Sequence, residues 1–413
     1  MHTVNVMPAP PLRSPTPTDA NFRSAGAATL QAMLQASRSD TLATFACYEN
    51  SASGLAVPYG AELNPPLWEL GHVGWFQAHW LARNPERLHG ERAEPAQVLA
   101  GVGGLQDGLY DSSLVPHATR WQLPLLDARA TRAALAATLD ESLALLEKNA
   151  SPTAQYFHRL CLAHEDMHHE AAVYMAQALG VPLHNARYQP RALPPPAPAL
   201  QLPAALCVLG RQADNSFAFD NECGQQTHTL PACSIDNQVL RWRDYLPFVE
   251  DGGYANRRWW PGRAAAWRAA PGHTAPRYLQ RAGAQWQRWR DGQWQALDLD
   301  EPACHLTAYE ADAWCAWAGR RLPAEAEWQR AAQAEPERYR WGAVWEWTAS
   351  SFGPYDGFVA HPYRDYSAPW FGSRRVLRGA SVATQPRLRD VHYRNFYTPD
   401  RNDIFAGFRS CGA

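Results

Sequence analysis

At 413 residues the chain is long for one ordinary domain and suits two, each able to bury its own core. Its formal net charge of −2 gives no electrostatic reason for a nucleic-acid or anionic-membrane partner, and suits a small or zwitterionic ligand. The eight cysteines are scattered without a C-x-x-C pair, which argues against a disulfide framework or a structural zinc and for a reducing, cytoplasmic setting.

The Pro-rich stretch Met1–Thr18 has no cationic run leading into an apolar core, so it does not read as a secretory signal, and 1–24 reads as a disordered tail. No run of about 18 apolar residues is present to span a membrane. From Ala25 to Leu179 the periodicity predicts amphipathic helices at about 26–49, 65–83, 128–148 and 153–179. Asn64 followed by Pro65 and Pro66 marks a helix start, and Gly180 before Val181-Pro182 marks a stop. The expectation is an all-α four-helix bundle over 25–188, with one long connection at roughly 84–125. Residues 189–202 form a Pro-rich linker. Beyond it, 203–413 shows short apolar stretches with many Trp and Gly, the texture of an α+β domain, with helices at about 307–318 and from Ala324 to about Ala332.

The fourth helix contains His164-Glu165-Asp166-Met167-His168-His169-Glu170. His164 and His168 are four apart, so one helical face presents both imidazoles to a single metal, and imidazole suits Fe, Zn, Cu or Ni. His72, in LWELGHVGWF of the second helix, is the candidate third ligand, since bundle cores assemble metal sites from facing helices. A lone buried histidine is more often a hydrogen-bonded core residue. Glu170 points about 120° away from His164 and is expected to orient an imidazole rather than to ligate. HEDMH also matches the H-E-x-x-H zinc-protease pattern, with Glu165 as general base. Ala171 and Tyr174 stand where the longer metzincin form needs Gly and His.

Four motifs carry a family resemblance: GRRLPAEAEWQRAA (319–332), WGAVWEWTAS (341–350), VLRGASVATQP (376–386) and RNFYTPDRNDIFAGFRSC (394–411). Together with FAFDNE (217–222) they resemble the formylglycine-generating-enzyme-like domain, of C-type-lectin-like fold. The N-terminal half, with LGHVGWF and HEDMHHE, resembles a DinB-like bundle. The pairing resembles the ergothioneine-pathway sulfoxide synthases (EgtB type) and their relatives. A formylglycine-generating enzyme binds copper through a cysteine pair near its C-terminus, and only Cys411 lies in that region here. The resemblance implies that His72, His164 and His168 hold Fe(II). It further implies that hercynine (Nα-trimethylhistidine) and a sulfur or selenium donor bind beside the iron, and that O₂ drives C–S or C–Se bond formation.

Where sulfoxide synthases carry R-N-W-D-x-P-x-R-R, this chain reads Arg394-Asn395-Phe396-Tyr397-Thr398-Pro399-Asp400-Arg401-Asn402. Tyr397 removes a carboxylate suited to a donor ammonium, and Asn402 and Asp403 suit hydroxyl groups. Asp111, Ser112 and Ser113, with Arg120 as the nearby cation, depart from the arginine-rich donor loop in the same direction. These features resemble the selenoneine synthases (SenA type), which couple hercynine to a selenosugar; a sulfur donor, cysteine or γ-glutamylcysteine, is the alternative. By the same resemblance Tyr363 is the proton donor. Tyr366, Phe396 and the carbonyl of Asn395 hold the trimethylammonium, and Arg401 meets a carboxylate or polar donor group. Met167 stands where relatives often carry Gln. A non-catalytic ligand-binding module is the remaining reading, against which the intact histidine set argues.

Overall fold

The computed structural model describes residues 21–101, 104–149, 151–211, 214 and 216–412. Four long helices, among the described residues, build the N-terminal half: α1 (Ala27–Glu49), α2 (Pro66–Trp80), α3 (Ala128–Glu147) and α4 (Tyr156–Leu179). α1 and α2 each pack on both α3 and α4. Pro66 opens α2 where its missing N–H costs nothing. The Asp127 carboxylate caps α3 by accepting from the Ala130 N–H at 2.7 Å. α4 ends at Gly180, whose φ of 70° is left-handed and whose absent Cβ would meet Gly292 at 2.8 Å, so both conformation and space require glycine. The long connection between α2 and α3 is made of short helical turns, including Asp107–Tyr110 and His117–Gln122.

Two expected boundaries move. Residues 1–20 of the expected tail lie outside the described residues, but Phe22 and Arg23 are buried, and Arg23 makes a two-pronged ion pair with Glu222 at 2.6 Å. Ordered chain therefore begins before Ser24, docked on the second domain. The linker ends early as well. Leu200–Leu202 is a strand paired antiparallel with Cys233–Ile235, because Leu200 and Leu202 alternate into the core around exposed Gln201.

In the C-terminal half that sheet continues through Cys411–Gly412 to Arg320–Arg321, so the domain's first and last strands share one sheet. A second sheet runs in the order Asn395–Tyr397, Arg375–Gly379, Trp345–Ser351, Ala406–Gly407. Trp328, Trp345 and Trp347 are buried around it, and buried Glu346 accepts from Trp328 Nε1 and from both prongs of Arg409. The helices Ala308–Trp317 and Glu325–Ala334 flank it, the former started by a Thr307–Glu310 capping box.

The halves are joined by buried polar contacts. Asp166 on α4 takes a bidentate pair from Arg387 at 2.6 and 2.7 Å and a hydrogen bond from Ser37. Glu170 accepts from Trp345 Nε1, Ser381 Oγ and Thr384 Oγ1. Each of these groups satisfies a carboxylate that burial would otherwise penalise. No helix among the described residues is long and apolar enough to cross a membrane, and all eight cysteines are free thiols.

Candidate metal centre

His72 on α2 and His164 and His168 on α4 bring one ring nitrogen each to within 4.8 Å of one another. Their ring centroids lie 4.3–5.0 Å apart. The tautomers follow from the partners. His72 Nδ1 lies 2.7 Å from the Tyr110 carbonyl, which only accepts, so Nδ1 carries the proton and Nε2 keeps its lone pair. His168 Nδ1 donates to Glu69 Oε2 at 2.6 Å, with the same consequence. His164 Nε2 is buried without a hydrogen-bond partner. Converging ring nitrogens, on two buried histidines and one half-buried one, with no internal donor between them suit a cation that takes all three.

Local sequence explains the convergence. A Cβ at Gly71 would stand 2.0 Å from the Tyr110 ring, so only glycine admits Tyr110 beside His72. Trp68 stacks on His72 at 4.8 Å, and Phe76 stacks on His164 at 3.5 Å, fixing both rings. Burial, with His168 nearby, pushes the His72 pKa down to about 3, and burial likewise pulls His164 far below its usual value. Both rings are therefore neutral, the form that ligates. Burial opposes ionisation of Glu69, but the adjoining His168 outweighs it and holds the carboxyl below its ordinary range. Asn64 Nδ2 donates to the other Glu69 oxygen at 2.6 Å.

The cluster is not sealed. A cavity of about 220 Å³ is lined by His72, Tyr363, Asp111 and Ser112 together with His79 and Asp365. The Tyr363 ring lies 6.2 Å from His164 and 4.9 Å from Phe76, and burial pushes its phenol pKa up, so it stays protonated. Tyr366 is 5.9 Å from Tyr363 and 5.9 Å edge-on to Phe396, stacks on Phe219 at 4.6 Å, and has its hydroxyl 3.8 Å from Met167 Sδ.

The sequence matches known proteins over most of its length. It is 32% identical over 409 residues to the hercynine oxygenase of Mycolicibacterium thermoresistibile, covering 85% of this chain and 88% of that enzyme. The chain belongs to the hercynine oxygenase family. The Mycobacterium tuberculosis hercynine oxygenase is likewise 32% identical, with 86% of this chain and 92% of that one covered. The sulfatase-modifying factor enzyme 1-like domain matches residues 190–343 and 341–412. Formylglycine-generating enzyme of Streptomyces coelicolor is 26% identical over 276 residues, 51% of this chain. Membership of the hercynine oxygenase family thus spans both halves, whereas the formylglycine-generating likeness covers about half the chain.

Several expected site residues have partners of their own within the fold. Arg120 does not line the cavity: its guanidinium is 3.7 Å over Trp68, and Nη1 bonds Asn64 at 2.9 Å, behind the histidines. Arg401 gives Nε and Nη2 to Asp403, each at 2.6 Å, and lies 5.0 Å over the Tyr397 ring. Burial pushes the Tyr397 pKa up to about 12, so it is a neutral group beside Tyr174. Asn395 Oδ1 accepts from the Phe396 N–H, and Phe396 stacks on Phe352 at 4.0 Å. Glu170 touches no imidazole among its hydrogen-bond partners, being wholly used in joining the halves. Glu165 is buried in an ion pair with Arg38 at 2.7 Å, away from the cluster, which removes the general base of the zinc-protease reading. His158 and His169 are core residues bonded to the Ser142 carbonyl and the Thr44 hydroxyl. Glu69 was missed, although it stands three residues before His72, one turn away on the same helix.

Proposed function

We propose that this chain holds one Fe(II) on His72, His164 and His168 and uses O₂ to join a chalcogen donor to the imidazole of hercynine. The observation that carries this is the convergence of three imidazoles, one of which, His72, lines a cavity shared with Tyr363, in a member of the hercynine oxygenase family. Bound Fe(II) would supply the centre at which O₂ is activated. In the overall reaction the donor S–H and the imidazole C–H give way to a C–S bond. The sulfur takes one oxygen as a sulfoxide, and the other leaves as water.

The chain's own groups divide the remaining work. Glu69 and the Tyr110 carbonyl hold two ligand rings in the ligating tautomer. Tyr363, protonated by burial, presents an O–H proton to the cavity. Tyr366 and Phe396 offer aromatic faces to the trimethylammonium, a cation that gives no strong hydrogen bond.

The relatives favour the ergothioneine-pathway reading, in which the donor is a thiol, cysteine or γ-glutamylcysteine. A selenosugar is the second reading, and one observation supports it. Tyr397 is neutral and Arg401 is committed to Asp403, so neither offers a free charge to an amino-acid zwitterion. The test incubates Fe(II)-loaded protein with hercynine, O₂ and each donor, following O₂ uptake and product mass. Thiol coupling supports the first reading, and faster turnover of the selenosugar transfers the assignment to the second. Hercynine left unconsumed with every donor contradicts both.

A further inference from the structure

The cavity that His72 lines holds side chains that the roles above leave unused. His79 lies there, seven residues beyond His72 on α2. Two turns of helix put it on the same face, about 10 Å along the axis. Its ring sits between Trp75 at 4.9 Å and Trp80 at 4.8 Å. Nδ1 is buried with no hydrogen-bond partner. A proton there would make it a buried donor without an acceptor, costlier than a buried lone pair, so the proton belongs on Nε2. That leaves an N–H facing the cavity with no acceptor among the described residues. Burial, aided by the Arg83 guanidinium, pushes the His79 pKa down to about 4, so the ring is neutral near pH 7. On the same cavity lie Ser112, Arg364 and Asp365, whose side chains also make no hydrogen bond among the described residues.

We propose that His79 is a donor-positioning residue, giving its Nε2–H to an oxygen at the end of the donor substrate remote from the chalcogen. This rests on the reaction proposed above. The aromatic faces suited to hercynine's trimethylammonium, Tyr366 and Phe396, are not among the residues lining this cavity, so the donor is its fitting occupant. Cysteine, with its carboxylate a few bonds from sulfur, is too short to reach from the histidine cluster to His79. γ-Glutamylcysteine, through a carboxylate, or a selenosugar, through a hydroxyl, is long enough, and both present the acceptor oxygen that a neutral imidazole N–H needs.

The test compares wild type with His79→Phe and His79→Gln, all Fe(II)-loaded, by anaerobic equilibrium binding of each donor and by steady-state kinetics under O₂. Loss of one neutral hydrogen bond predicts that the Phe variant weakens binding of the longer donor and raises its KM by about 3–10-fold. The KM for hercynine, the KM for cysteine, the iron content and kcat at saturating donor hold. The Gln variant, which restores an N–H donor, recovers most of the loss. An effect on the selenosugar alone makes the acceptor a hydroxyl, and an effect on γ-glutamylcysteine alone makes it a carboxylate. Unchanged donor affinity in the Phe variant of an active enzyme overturns the role of His79 and leaves the reaction standing, as does a rise confined to hercynine. A wild type that couples hercynine to no donor overturns the reaction, and His79's role with it.

Discussion

Glu69 Oε2 accepts a 2.6 Å hydrogen bond from His168 Nδ1, tying the second helix of the bundle to the fourth through a metal-facing imidazole. The carboxylate is buried and ionised, so it fixes both the tautomer and the ring plane of His168. Asn64 and, behind it, Arg120 extend the chain of hydrogen bonds away from the cluster.

Glu69→Gln tests that arrangement. The amide keeps the shape and removes the charge, so metal affinity is expected to fall about 10–100-fold while the chain stays folded. Anaerobic Fe(II) titration, with a far-ultraviolet melt of the metal-free protein as control, reads both.

Gly71→Ala is expected to lose more than helix propensity returns. Alanine gains about 1 kcal/mol over glycine in a helix interior. Its Cβ would stand 2.0 Å from the buried Tyr110 ring, and overpacking of this kind costs about 1–3 kcal/mol while displacing the carbonyl that orients His72. A lower Tm together with weaker metal binding is the expected result. Gly74→Ala, whose new contact is Leu135 at 3.1 Å, is the milder comparison.

Tyr363→Phe is expected to leave hercynine and iron binding intact, because the phenol makes no hydrogen bond that holds the fold among the described residues. Coupling slows, or diverts toward oxidation of the donor alone, since the cavity loses its O–H. Product analysis by mass, at matched iron content, checks this; an unchanged product distribution removes Tyr363 from the chemistry.

Arg387→Met leaves Asp166 buried without its bidentate partner, retaining only Ser37. Breaking a buried pair from one side costs about 3–5 kcal/mol. Urea unfolding is expected to show that loss, with the double variant Arg387→Met/Asp166→Leu recovering part of it.

Much of this architecture was legible because its signals are local. The four bundle helices begin and end within about three residues of the bounds expected from periodicity and punctuation, as at Pro66 and Gly180. His164 and His168 declare their shared face by spacing alone, and His72 was drawn to them by its motif. What escaped depends on partners distant in sequence. The angular argument correctly turned Glu170 away from the cluster, but Trp345, Ser381 and Thr384, which occupy it, lie in the other half. Arg120 was read as a donor contact because loop position says nothing about stacking on Trp68. Arg401 carried a readable signal, since Asp403 two residues on is close enough to claim its guanidinium. The early end of the linker at Leu200 was hidden by surrounding prolines, which mask a three-residue strand.

The most direct measurement is anaerobic Fe(II) binding to wild type and to the His72→Ala, His164→Ala and His168→Ala variants, by equilibrium dialysis with metal analysis. One Fe(II) per wild-type chain, lost in each of the three variants and retained in Tyr363→Phe, is the predicted result. A wild type that takes up no Fe(II), or stoichiometric binding that survives the loss of His72, contradicts a centre shared between the two helices.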